Sequence, residues 1–115
     1  MIEWREPLYL DQNMGDGEHL ERAKRKAEEG TGSIFPAFGV FLAQNPDNLL
    51  EIISLNELLQ PGYQARHFRC VGLAANREGA QELVRLILEE VLQETGALRV
   101  REFLYPEEET DKGDG

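Results

Sequence analysis

Phe68-Arg69-Cys70-Val71-Gly72-Leu73-Ala74-Ala75-Asn76, with the run from Arg77 to Thr95 behind it, decides the fold. Residues 68–74 are apolar or small at nearly every position, the pattern of a central strand covered on both faces. Asn76 then suits a helix N-cap and Gly96 a helix stop. Between them Ala80, Leu83, Val84, Ile87, Leu88, Val91 and Leu92 recur at helical spacing, while Glu78, Glu82, Arg85 and Glu89 line the other side. The spacing predicts a long helix over 77–95 lying on a sheet. Leu98-Arg99-Val100-Arg101-Glu102-Phe103-Leu104 is expected as a further strand, which makes residues 68–104 a strand–helix–strand unit with a parallel pair and a right-handed crossover.

Upstream of this unit, Ile34 to Ala43 reads as a first strand, apolar or small on both faces. Asn45-Pro46-Asp47-Asn48 admits two readings. It is a hairpin turn into a strand at 49–53, or the capped start of one helix running to Gln60. Residues 46–60 projected as a helix place Leu and Ile on every side, and Ser54-Leu55-Asn56-Glu57 is a capping box that starts a helix at that point. The turn is therefore preferred, with a strand at 49–53 and a short helix at 55–60 closed by Pro61-Gly62. Residues 16–29 form a mixed-charge helix with a narrow stripe of Leu20, Ala23 and Ala27, and Gly30-Thr31-Gly32-Ser33 is a joint.

The assembled expectation is a small single α+β domain: a four-stranded mixed sheet (β-β-β-α-β core) with one long helix on one face and a peripheral N-terminal helix. Residues 1–33 are an N-terminal arm carrying the polar helix, 34–105 the core domain, and 106–115 a disordered acidic tail. Strands that are apolar on both sides leave a second sheet face to be covered, either by the arm helix or by a second subunit. A homodimer through the sheet face or edge is the partner this packing implies.

Composition bounds the function. The chain has 115 residues and a net charge of −10, and its hydrophobic content of 41% belongs to a folded domain. This acidity excludes duplex nucleic acid, whose binders supply Lys and Arg to the phosphates. No apolar run reaches the ~18 residues that cross a bilayer. The N-terminus lacks the cationic start and apolar core of a secretory signal, and Cys70, the single cysteine, has no disulfide partner. A cytoplasmic location is expected. Residues 106–115 hold five acids and one base, so the tail is a solvated terminus or, on the alternative reading, the arm of an adaptor for a basic protein partner.

Two places carry candidate binding chemistry. Asn76, Arg77 and Gly79 sit at a strand-to-helix junction, where unpaired backbone N–H groups and the helix dipole favour an anion. The glycine spacing matches neither a dinucleotide fingerprint nor a P-loop. Arg66 and His67, with Arg69, form a cationic edge in an acidic molecule, and Arg99 and Arg101 are expected beside them at the start of the last strand. The two places lie about 20 Å apart along the strand at ~3.3 Å per residue, so they are separate sites. Charge balance against Glu89, Glu90 and Glu94 at the helix end is the plainer reading of the cationic edge. No catalytic constellation, metal-ligand set or cofactor motif is present: Cys70 is a mid-strand thiol, and His19 and His67 are far apart. The expected function is a small soluble binding, regulatory or assembly module, non-catalytic and homodimeric. The alternative is a small enzyme, or a sensor of an anionic phosphate or carboxylate metabolite, using one of the two sites.

Overall fold

The computed structural model describes residues 2–11, 21, 22, 24, 25, 37–44, 48–58, 62 and 66–106. In chain order the elements are β1 (Ile2–Leu10), β2 (Phe38–Leu42), β3 (Leu50–Ser54), α1 (Leu55–Leu58), β4 (Phe68–Ala74), α2 (Arg77–Thr95) and α3 (Val100–Leu104). The strands form one mixed sheet in the order β1-β4-β2-β3. β1 runs parallel to β4, while β2 is antiparallel to both β4 and β3. This is the expected α+β domain, a four-stranded mixed sheet under one long helix.

β4 is central, as its composition requires, and its two faces carry different cores. Phe68, Cys70 and Leu73 pack with Phe41, Ile53, Leu55 and Leu58 on one face. Val71 and Ala74 pack on the other with Val40 and with Ala80, Leu83, Ile87 and Val91 of α2. Cys70 and Leu73 are an odd number of residues apart, so strict alternation would put them on opposite faces. A bulge reconciles them. Val40 pairs with Gly72 and Phe41 with Cys70, leaving Val71 as the extra residue.

α2 follows the sequence closely. Asn76 Oδ1 accepts a hydrogen bond from the Gly79 N–H at 2.7 Å, and Gly96 closes the helix in the left-handed region at φ 77°. Arg85 joins Glu82 and Glu89 along the exposed side. Residues 50–58 resolve the ambiguity over 46–60 as strand plus short helix, and the Ser54 hydroxyl accepts from the Glu57 N–H at 3.2 Å.

The fourth strand is corrected. Residues 98–104 do not join the sheet. Val100–Leu104 is helical, with Val100 and Leu104 buried one turn apart and Leu98 46% exposed. In so short a segment an apolar residue at every fourth position satisfies a strand and a helix equally, and Phe103 breaks the alternation that a strand needs. The parallel partner of β4 is instead β1, the beginning of the expected N-terminal arm. Its Glu6-Pro7 interruption suits an edge strand, where a missing N–H is tolerated. Between Trp4, opposite Cys70, and Tyr9, opposite Gly72, the register shifts, so Trp4 serves one core and Tyr9 the other. Within the arm, Glu21, Arg22, Lys24 and Arg25 are helical, and the Lys24 ammonium stands 5.7 Å from the centre of the Trp4 ring.

The second sheet face is buried within the single chain: Phe41, Cys70 and Leu73 are each 0% exposed. The packing argument for a second subunit therefore falls away. No helix among the described residues is long and apolar enough to cross a membrane. The rest of the 16–29 helix, the 30–33 joint, the 34–36 start of the first strand, the 45–47 turn, the 59–60 helix end and the tail beyond Pro106 lie outside the described residues.

The helical assignment of 100–104 makes a sharp expectation. A strand would place Leu98 and Leu104 on one face with similar cost on truncation. In the helix, Leu104→Ala should lower stability by about 2–4 kcal/mol and Leu98→Ala by at most about 0.5 kcal/mol. Urea unfolding of the two variants measures the difference.

Candidate functional site

The ends of β4 carry the two sequence candidates. At its start, the antiparallel β2 brings its own end alongside and the parallel β1 brings its beginning. α3 packs over the same end of the sheet. A depression of about 240 Å³ opens there, lined by Leu42, Ala43, Gln44, His67, Arg69 and Arg101. Arg66 is exposed one residue ahead of His67 and does not line it.

Hydrogen bonds to the backbone hold the depression together. Gln44 Nε2 donates to the His67 carbonyl at 2.8 Å, while the Gln44 N–H donates to Glu51 Oε2 at 3.2 Å. Arg101 Nη2 donates to the Ala43 carbonyl at 2.7 Å, tying α3 to the end of β2. Arg5 Nε donates to the Leu104 carbonyl at 3.0 Å, tying β1 to the end of α3. The Arg69 guanidinium lies 4.9 Å from the centre of the Tyr105 ring, within cation–π range. Glu3, opposite Arg69 in the β1–β4 register, places Oε1 3.6 Å from His67 Nε2 and Oε2 3.8 Å from Arg69 Nε.

The cationic edge thus assembles by a route the sequence reading did not foresee. Arg101 arrives from a helix rather than a strand, and Arg99 turns away to Glu102 at 3.5 Å. Of the acids offered as balance, Glu89 meets Arg85 on its own helix, whereas Arg69 meets Glu3 of β1. Among the described residues no carboxylate lies within ion-pair distance of Arg101.

The other end of β4 is differently equipped. The N-terminus of α2 receives two side-chain acceptors from the chain itself: Asn76 Oδ1 at the Gly79 N–H, and Asp11 Oδ2 at the Ala75 N–H, 3.3 Å away. Asp11 is positioned by its own N–H, which continues the β1–β4 ladder to the Leu73 carbonyl at 3.1 Å. A Cβ on Gly79 would come within 2.5 Å of Asp11 Oδ2, so the glycine makes room for the carboxylate. The Arg77 guanidinium lies 5.2 Å from the Phe38 ring centre. The anion that this helix start meets within the chain is Asp11.

Reactive groups are few. Burial pushes the Cys70 thiol up to about 12, and its Sγ–H points to the Gly72 carbonyl at 3.3 Å. Such a thiol is a core residue rather than a nucleophile. Burial, reinforced by the Glu3 carboxylate, also pushes the Tyr105 phenol up to about 12. Its hydroxyl is buried without a hydrogen-bond partner among the described residues. No group of three or more His, Cys, Asp or Glu among the described residues is arranged to hold a metal ion. His19 lies outside them.

Three side chains of the candidate sites escaped the sequence reading. Gln44 and Glu3 carry no local pattern, because both matter only through strand neighbours distant in sequence. Asp11 had a faint signal, an acid directly after the apolar run Leu8-Tyr9-Leu10. The chain matches no family model, no curated protein and no solved structure.

Two expectations follow from these contacts. Gly79→Ala should gain helix propensity while forcing Asp11 away. In an Asp11→Ala background the same change should gain the full propensity of about 0.5–1 kcal/mol, and in the original chain clearly less. A double-mutant cycle by urea unfolding reads the difference. The second concerns pH. Unfolded thiols and phenols release protons near 8.5 and 10 respectively, whereas folded Cys70 and Tyr105 hold theirs to about 12. The folded state therefore binds more protons across that window, and stability falls as pH rises from about 8.5 to 12. Cys70→Ala and Tyr105→Phe should each flatten that fall, measured by urea unfolding at stepped pH.

Proposed function

We propose that this chain is a small non-catalytic binding module whose ligand is a compact anion, a phosphate or carboxylate group, held in the depression between the end of β2, the start of β4 and α3. One observation carries the reading: in a molecule of net charge −10, His67, Arg69 and Arg101 converge on one depression of about 240 Å³. Guanidinium groups match phosphate and carboxylate geometry with paired N–H donors. Arg101 is held in place by the Ala43 carbonyl and lacks a carboxylate partner among the described residues, so it supplies uncompensated charge. The volume suits a small metabolite or a single charged group of a larger one rather than a polymer. The buried Cys70 supports binding over covalent catalysis, and one thiol with no disulfide partner suits a reducing cytoplasm. The module needs no second subunit to cover its sheet, which is already buried within one chain.

Calorimetric titration of the full chain at low ionic strength tests this, with inorganic phosphate and succinate as separate probes. At least one should bind saturably, and more weakly as salt screens the site. Arg101→Gln should weaken that binding roughly tenfold or more, the cost of losing a charge-assisted hydrogen bond. The melting temperature is measured alongside, because Arg101 also anchors α3. Absence of saturable binding by either probe, or unchanged affinity in a folded Arg101→Gln, overturns the reading.

A further inference from the structure

Resting on that reading, we propose that Glu3 is a built-in competitor for the anion site, a carboxylate that the ligand must displace. The β1–β4 register sets Glu3 directly beside Arg69, and its two oxygens reach the His67 imidazole at 3.6 Å and the Arg69 guanidinium at 3.8 Å. Glu3 does not itself line the depression, but its one carboxylate engages His67 and Arg69, two of the side chains that do, and so competes for the groups an incoming phosphate or carboxylate would use. Both separations exceed hydrogen-bond length, so Glu3 compensates charge without locking His67 Nε2 in a short bond. Its side chain is 47% exposed, and an exposed ion pair of this kind is weak and easily exchanged. Arg101, which also lines the depression, has no such partner among the described residues and gives the ligand its first foothold. The competitor sits on an edge strand, next to the single tryptophan, Trp4, which packs against the other face of the sheet. Displacing Glu3 therefore changes the beginning of β1 and is felt by that ring.

Phosphate titrations of the full chain, of Glu3→Gln and of Glu6→Gln test this. Glu6→Gln removes the same charge from the same exposed strand and controls for net charge. Glu3→Gln should tighten phosphate binding by roughly two- to fivefold, the range that one weak exposed ion pair supplies, with Glu6→Gln closer to unchanged. Trp4 emission should shift on phosphate addition in the unaltered chain and respond far less in Glu3→Gln. Equal tightening in both variants, or none in Glu3→Gln, overturns the competitor while leaving the anion site standing if Arg101→Gln still weakens binding. The same titrations with succinate complete the test: failure of every variant to bind phosphate or succinate overturns the site and the competitor together.

Discussion

β4 must be paired on both edges and buried on both faces, and the rest of the molecule answers that requirement. Its seven residues run through the middle of the sheet with Cys70, Val71, Leu73 and Ala74 fully shielded from solvent. An unpaired edge at such a strand would leave backbone N–H and C=O groups buried without partners, which costs more than almost any side-chain contact returns. β2 satisfies one edge and β1 the other. The bulge at Val71 then lets one short strand feed two cores, with α2 closing one of them. Both candidate sites hang from the ends of this strand, because its middle has no exposed side chain to offer.

Those ends are treated in opposite ways. At the C-terminal end the chain supplies its own acceptors, Asn76 and Asp11, to the orphan N–H groups at and before the first turn of α2. The helix start thus meets a cap and a carboxylate from within its own chain. At the N-terminal end the side chains are cationic, and backbone carbonyls of Ala43, His67 and Leu104 are used to fasten neighbouring segments together. Carbonyl acceptors fix Arg101 and Arg5 without cancelling their charge. A depression with two guanidinium groups in an acidic molecule is the result; Glu3 opposes them through Arg69 at its border, and Glu51 is held there by the Gln44 N–H.

Sequence legibility followed the length of each pattern. α2 was readable from its cap to its stop because seven apolar positions over five turns fit only one period. β2, β3 and β4 were readable from apolar runs bounded by turn residues. Val100 to Leu104 was misread because a spacing of four residues is common to both periods, and burial of Val100 and Leu104 against α2 chose the helix. β1 was missed because Glu3, Arg5, Glu6 and Pro7 interrupt it, and an edge strand with a register shift needs little alternation. The cationic edge was legible in Arg66, His67 and Arg69, while its true membership was not. Arg66 stands outside the depression, and Arg101 entered it from an unforeseen helix.

The sequence by itself determined the class of the domain, the central position of residues 68–74, the long helix and its two caps. These are local facts: each follows from periodicity, capping chemistry or burial preference within a few turns of chain. Tertiary structure alone decided which segment completes the sheet, where Asp11 and Glu3 place their carboxylates, and which cations share a depression. Those outcomes depend on pairings between residues as far apart as Arg5 and Leu104, whose energy is shared across the whole fold and leaves no mark on the sequence near either partner.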